Sequence, residues 1–151
     1  MDTMEILKRS ELFRELDDEQ LVVVEKKCTN KVFEPGAVIC RQDAKQDEVF
    51  VIEEGLIGVM LGVGPLTERQ VQAASRFEVV GWSALIEPFV CRANARALEK
   101  TKVLAFNGED LRNLCTSHPA IGCKLYHQVA RVVAVRLHHA FTQLLGVTAQ
   151  V

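Results

Sequence analysis

The chain has 151 residues, 48% of them hydrophobic and 25% charged, a balance that suits one globular domain and excludes a disordered chain. Its cysteines, Cys28, Cys40, Cys91, Cys115 and Cys123, are odd in number and form no C-x-x-C pair, so neither a zinc ribbon nor a secreted disulfide framework is expected, and the expected location is the reducing cytoplasm. The start, Met1-Asp2-Thr3-Met4-Glu5, is acidic where a signal peptide is basic, no apolar run reaches membrane-spanning length, and a net charge of −2 does not advertise a nucleic-acid partner.

Residues 1–30 read as N-terminal helices. Ile6, Leu7, Leu12, Phe13 and Leu16 recur at helical steps, and Asp17 with Gln20 three positions on forms a capping box before Leu21, Val22 and Val24. From 31 to 106 the pattern changes to short apolar runs broken by Pro35-Gly36, Gly55, Gly58, Gly62 to Pro65, Gly81 and Pro88. Eight strands are predicted, near 31–34, 38–40, 49–53, 57–61, 70–74, 78–80, 93–98 and 102–106. Closing them into an antiparallel β-roll, a double-stranded jelly roll, protects the strand edges. The fold class expected is mainly β with flanking helices, in a single domain over 1–151.

Residues 107–151 return to helix. Asn107-Gly108 opens one helix and His118-Pro119 precedes a longer one, with Pro119 suited to a first helical position. Along it Tyr126, Val129, Val133, Leu137, Ala140 and Leu144 follow a near-heptad step, a face that seeks the β-roll of its own chain or a second copy. Intrachain packing together with a homodimer through this C-terminal helix is the expectation. This tail carries Arg112, Lys124, Arg131 and Arg136 and no acid, so it holds +4 while residues 1–110 hold −6. Such a face either binds an anion or partner, or answers acidic groups of its own body or a partner chain.

The stretch Val79 to Ala95 carries the chemistry. Gly81, a short helical turn and Arg92 make a plausible anion cradle, since exposed N–H groups and a guanidinium both favour phosphate. Other readings are weak. Ser83 lacks the Gly-x-Ser-x-Gly context of a nucleophile elbow, His138 and His139 point about 100° apart on a helix, and no His lies between 31 and 106. Neither catalysis nor a metal is therefore expected. Cys91 beside Arg92 would be a reactive thiol if exposed and a small apolar filler if buried.

Together these motifs resemble the cyclic nucleotide-binding domain of the catabolite activator and Fnr superfamily. The resemblance rests on Leu12-Phe13, Leu16 and Leu21, Phe33-x-Pro35-Gly36-x-x-Ile39, Asp47-x-x-Phe50-x-Ile52-x-x-Gly55, Gly81-x-x-Ala84-Leu85 with Arg92, and His118-Pro119 before the long helix. It implies a non-catalytic regulatory module whose ligand is held by Gly81, Trp82, Ser83, Ala84, Leu85, Arg92 and Ala93, and relayed to the C-terminal helix near Arg131 to Leu137. Counting from Pro119 places Arg136 and Leu137 where cyclic AMP sensors carry base-facing hydroxyls. The departures are specific. Trp82 stands where the family has a ribose-binding Glu, and an indole only donates. Ala93 replaces a Ser or Thr phosphate contact. Phe77 and Asp43-Ala44 replace turn glycines, so those loops are expected to differ.

The loss of Glu leaves excess positive charge beside Arg92. A cyclic nucleotide, another small anion, and an empty pocket serving a protein-interaction module all remain open as readings, and no other cofactor is expected. With Gly146 expected to close the last helix and the sequence ending at Val151, direct DNA binding and a membrane role are not expected.

Overall fold

The structure, a computed structural model, describes residues 1–149 and the side chains of residues 1–146. Helices α1 (Thr3–Arg9) and α2 (Asp18–Glu25) flank a run of turns over 10–16. The Asp17 carboxylate accepts the Gln20 N–H at 2.9 Å while the Gln20 side chain accepts the Asp17 N–H at 3.1 Å, the reciprocal capping that the spacing predicts. Eight strands follow: β1 (Cys28–Phe33), β2 (Val38–Cys40), β3 (Glu48–Glu54), β4 (Ile57–Gly62), β5 (Glu68–Ala74), β6 (Val79–Val80), β7 (Asn94–Ala97) and β8 (Thr101–Asn107). They form two four-stranded antiparallel sheets, ordered β1-β8-β3-β6 and β2-β7-β4-β5. This is the mainly β roll with flanking helices that the sequence predicts.

Alternation along β3, β6 and β8 explains how one sheet serves two cores, because successive side chains leave a strand on opposite faces. Val49, Val51, Val79, Leu104 and Phe106 face the helices, where Phe106 meets Phe13 with ring centroids 5.0 Å apart. Phe50, Ile52, Val80, Val103 and Ala105 face the second sheet and pack with Ile57, Ala74 and Ala95. Strands β3, β6 and β8 are thus buried on both sides, whereas the edge strand β1 is largely exposed. Near-continuous apolar runs are the mark of strands buried on both faces.

Helix α3 (Gly108–Ser117) starts where expected, with the Asn107 side chain accepting the Asp110 N–H at 3.0 Å. Helix α4 runs from Pro119 to Ala149 without a break at Gly146. The expected stop there is wrong, since one exposed glycine costs a helix only about 1 kcal/mol relative to alanine. Strand β1 begins at Cys28, three residues before the predicted position.

The apolar seam of α4 is divided. Ile121, Leu125, Val129 and Val132 are buried against the chain's own core, whereas Val135, Leu137, Phe141 and Leu145 are exposed. Among the described residues no helix is long and apolar enough to cross a membrane.

Candidate functional site

Strand β6 ends at Gly81, which turns the chain at φ +85° into a 3-10 turn over Trp82–Leu85. A Cβ on Gly81 would lie 2.5 Å from the Glu48 carbonyl oxygen and 2.8 Å from Gln46 Nε2, so both the left-handed backbone and the close approach require glycine. The far end of this turn is held from two helices. Arg112 Nη1 of α3 donates to the Ala84 carbonyl at 2.5 Å while its guanidinium lies 4.0 Å over the Phe89 ring. Tyr126 of α4 donates its hydroxyl to the Leu85 carbonyl at 3.2 Å. Neither contact has a signature in sequence spacing.

Behind Gly81 the strands border a half-open cavity of about 180 Å³. It exists because small side chains face it: Cys40, Cys91, Ala93 and Ala95 leave the roll unfilled between Val59 and Val80. Gly81, Trp82, Ser83, Arg92 and Ala93 also border it, and Arg136 reaches it from α4. Six of the eight expected site residues therefore come together. Ala84 and Leu85 do not line the cavity. Both side chains are buried in the helical core, so their part is to seat the turn. Leu137, next to Arg136, is half exposed. Cys40, Gln46, Val59, Gln72, Val80 and Ala95 line the cavity without having been foreseen. Most of these are ordinary strand residues by pattern, and only strand pairing shows that they converge.

Two arginines border this cavity in different states. Arg136 is spent: Nη2 donates to the Val79 carbonyl at 2.6 Å and to Glu11 Oε1 at 3.2 Å, and the same Glu11 oxygen accepts the Val79 N–H at 2.7 Å. This cross-tie joins the N-terminal turns, β6 and α4. Burial lowers the Arg136 pKa, and burial pushes the Glu11 carboxyl up against the pull of the Val79 N–H and Arg136. The Arg92 guanidinium is exposed and has no hydrogen bond or ion pair among the described residues. The excess charge expected at the site thus reduces to Arg92 alone, because Glu11 answers Arg136.

The thiols are neutral walls. Burial pushes Cys40 up to about 12. Burial likewise raises the Cys91 thiol, which donates to Gln46 Oε1 at 2.8 Å. Cys91 is 3% exposed, so of its two readings the structure selects the buried filler, with desolvation the main cause of its raised pKa. Gln46 Nε2 in turn donates to the Glu48 carbonyl at 2.5 Å, which uses both ends of that buried amide.

The basic tail is answered inside its own chain. Beyond Arg112 and Arg136, Lys124 donates to Gln20 Oε1 at 2.9 Å and Arg131 lies 3.7 Å from Glu15. The Glu15 carboxylate also contacts His127 Nδ1 at 3.2 Å. That hydrogen bond is the main cause of its lowered pKa. The expected divergence of the two glycine-less loops is absent from their backbone, since Asp43 and Phe77 hold φ at +69° and +71°, the region glycine occupies without strain. Phe77 keeps that turn while its ring takes the Arg76 and Arg9 guanidinium groups at 5.1 and 5.7 Å. Among the described residues no group of three or more His, Cys, Asp or Glu is placed to hold a metal ion.

A β-roll with a glycine-led turn, an arginine eleven residues on and a long helix across the opening defines a class of ligand-binding module. The sequence pattern of the cyclic nucleotide-binding domain matches residues 30–118, and the chain belongs to that family. A cyclic nucleotide-binding protein from Geobacter metallireducens is similar at 30% identity and TM-score 0.79, the match covering 91% of this chain and 100% of that one. The catabolite activator protein of Thermus thermophilus matches at 23% identity and TM-score 0.76, over 92% of this chain and 63% of its own. A cyclic nucleotide-binding domain from Methylobacillus flagellatus has TM-score 0.82 at 15% identity, covering 95% and 80% of the two chains. At these lower identities the likeness concerns the fold. No curated protein matches the sequence.

Proposed function

We propose that this chain is a regulatory ligand-sensing module without catalysis of its own, which takes a small anion against Arg92 and passes its occupancy to α4. The observation that carries this reading is the contrast between the two arginines of one cavity. Arg136 is consumed by Glu11 and Val79, while Arg92 has no partner among the described residues and stands beside an apolar space. An exposed guanidinium with no carboxylate to answer it is a ready anchor for an anion. The relay is built from contacts at both ends of the site: Tyr126 holds the Leu85 carbonyl and Arg136 borders the cavity, and both belong to α4. A ligand moves that helix only if it binds one of two helix arrangements better than the other.

The exposed face of Leu137, Phe141 and Leu145, which lie within about 80° of one another on the helix, supports a homodimer through α4. One observation favours the second reading, a ligand-free dimeric interaction module: a cavity of about 180 Å³ is below the roughly 300–1,000 Å³ of most ligand pockets. Thermal unfolding with a panel of millimolar anions, cyclic AMP, cyclic GMP and small carboxylates among them, separates the two. A ligand at 100 times its Kd adds about 2.7 kcal/mol, a rise of about 5–11 °C. The sensing reading expects such a rise in the wild type and not in Arg92→Ala. No rise with any anion rejects it and leaves the interaction module.

A further inference from the structure

We infer that the cavity is built for a compact monoanion with an apolar body, of the class of an aromatic or branched-chain monocarboxylate, and not for a cyclic nucleotide. The inference rests on the sensing reading above and narrows its ligand. A nucleotide must place base, ribose and phosphate, and its size belongs with pockets of roughly 300–1,000 Å³, whereas the walled part of this half-open cleft holds about 180 Å³, so much of a nucleotide would lie outside its walls.

The polar inventory points the same way. Ribose hydroxyls need acceptors, yet no carboxylate lines the cavity, and Trp82 offers only an N–H donor. Both ends of the Gln46 amide are engaged, by the Glu48 carbonyl and the Cys91 thiol, and the Cys40 thiol points its hydrogen toward the Ala93 carbonyl at 3.7 Å. What remains open to a ligand is Arg92, the Trp82 indole N–H, the Ser83 hydroxyl and the Gln72 amide, none with a side-chain partner among the described residues, a set in which donors outnumber acceptors and no acceptor is charged.

Charge fixes the valence. Arg136 is neutralised by Glu11, and the thiols are protonated at neutral pH, so one positive charge at Arg92 is left for one negative charge. A planar carboxylate can take a guanidinium through two parallel hydrogen bonds. Its apolar body would then lie against Val59, Val80 and Ala95, which gain from losing contact with water.

The chain carries its own reporter, because its one tryptophan is Trp82 at the cavity. Intrinsic fluorescence, checked by calorimetry, is followed on the full chain with phenylacetate, 3-methylbutanoate, neutral phenylacetamide, cyclic AMP, cyclic GMP and inorganic phosphate. The expected result is saturable binding of at least one carboxylate, at least tenfold weaker binding of phenylacetamide, and at least a tenfold loss in Arg92→Gln. Lys102→Gln, at an exposed position of β8 outside the cavity, should leave the affinity unchanged. Arg92 is exposed, so its variant should fold, and its unfolding curve serves as the control. Tighter Arg92-dependent binding of either cyclic nucleotide overturns the ligand class while the sensing module stands. A flat response to every probe overturns both. Carboxylate binding with no change in amide exchange along α4 upholds the ligand class and removes the relay.

Discussion

Replacing Arg136 by Met tests whether the cross-tie holds α4 over the cavity. The side chain is 16% exposed and that of Glu11 27%, so neither solvent nor salt replaces the partner fully. Removal takes away a hydrogen bond to the Val79 carbonyl and a charge-assisted one to Glu11. Hydrogen bonds to charged groups contribute about 1.5–3 kcal/mol each when partly shielded, and Met retains part of the packing of the arginine stem. A net loss of about 2 kcal/mol is expected, or about 4–8 °C in Tm for a chain of this length.

The loss should also depend on pH. Burial already raises the folded pKa of Glu11 above its unfolded value, so the native state binds more protons than the unfolded state, and this group's contribution falls as pH rises. Without Arg136 the folded pKa rises further. The deficit of Arg136→Met should therefore be smallest at acid pH and grow as pH rises beyond the ordinary carboxylate range. Urea unfolding from pH 5 to 8, with Glu11→Gln and the double variant completing a cycle, measures both effects. A deficit under about 0.5 kcal/mol, within the range of ordinary surface substitutions, or one that shrinks with rising pH, refutes the cross-tie.

Gly81→Ala forces a left-handed alanine, at about 1–2 kcal/mol, and sets a Cβ 2.5 Å from the Glu48 carbonyl; a loss of more than about 2 kcal/mol is expected on chemical unfolding, and a neutral result would show that the turn relaxes freely. Gln128 is 1% exposed and its Nε2 has no partner among the described residues, so Gln128→Met should raise stability by about 1–3 kcal/mol, and a fall in Tm would reveal a hidden hydrogen bond. Glu15 has a lowered folded pKa, led by its hydrogen bond from His127; its contribution is present above the unfolded pKa and disappears as pH falls through the folded one, so the stability gap between wild type and Glu15→Gln should close between pH 6 and pH 3. Iodoacetamide at pH 8 should label exposed Cys123 and spare Cys40 and Cys91, whose thiols burial keeps protonated; mass spectrometry showing rapid labelling of Cys91 would contradict the neutral wall.

Local chemistry made much of the fold legible in sequence. The capping box at Asp17, the Pro119 helix start and the turn at Gly81 each follow from one residue's backbone preference. Strand positions followed from short apolar runs and their Gly and Pro punctuation, although the ends of β1 and β5 did not, because Cys28-Thr29-Asn30 and Glu68-Arg69 are polar edge residues whose strand state is set by pairing with β8 and β4. Half of the site was legible for the same reason. Gly81, Trp82, Ser83, Arg92 and Ala93 are close in sequence, whereas Cys40, Gln46, Val59 and Ala95 meet them only through closure of the roll. Glu11 illustrates the limit. It sits 125 positions from Arg136, among several surface acids, and only the packed structure selects it.

The state of the two arginines ties stability to sensing. A ligand at Arg92 would act across a cavity whose opposite border, Arg136 of α4, is anchored to the N-terminal turns and to β6. The 3-10 turn that begins at Gly81 ends at the carbonyls held by Arg112 and Tyr126. An anion that pulls on the turn would therefore strain contacts to α3 and α4 together, while one that displaces Arg136 would leave the half-buried Glu11 carboxylate with the Val79 N–H but without its cation. The second event costs more, since it also gives up the charge-assisted bond to Glu11 and the bond to the Val79 carbonyl, whose net contribution is about 2 kcal/mol. On the proposed sensing reading, the lower-energy route for a signal would thus run through Tyr126 and the N-terminal half of α4. The Arg136 cross-tie then serves as the fixed pivot about which the exposed face of Leu137 and Phe141 would turn.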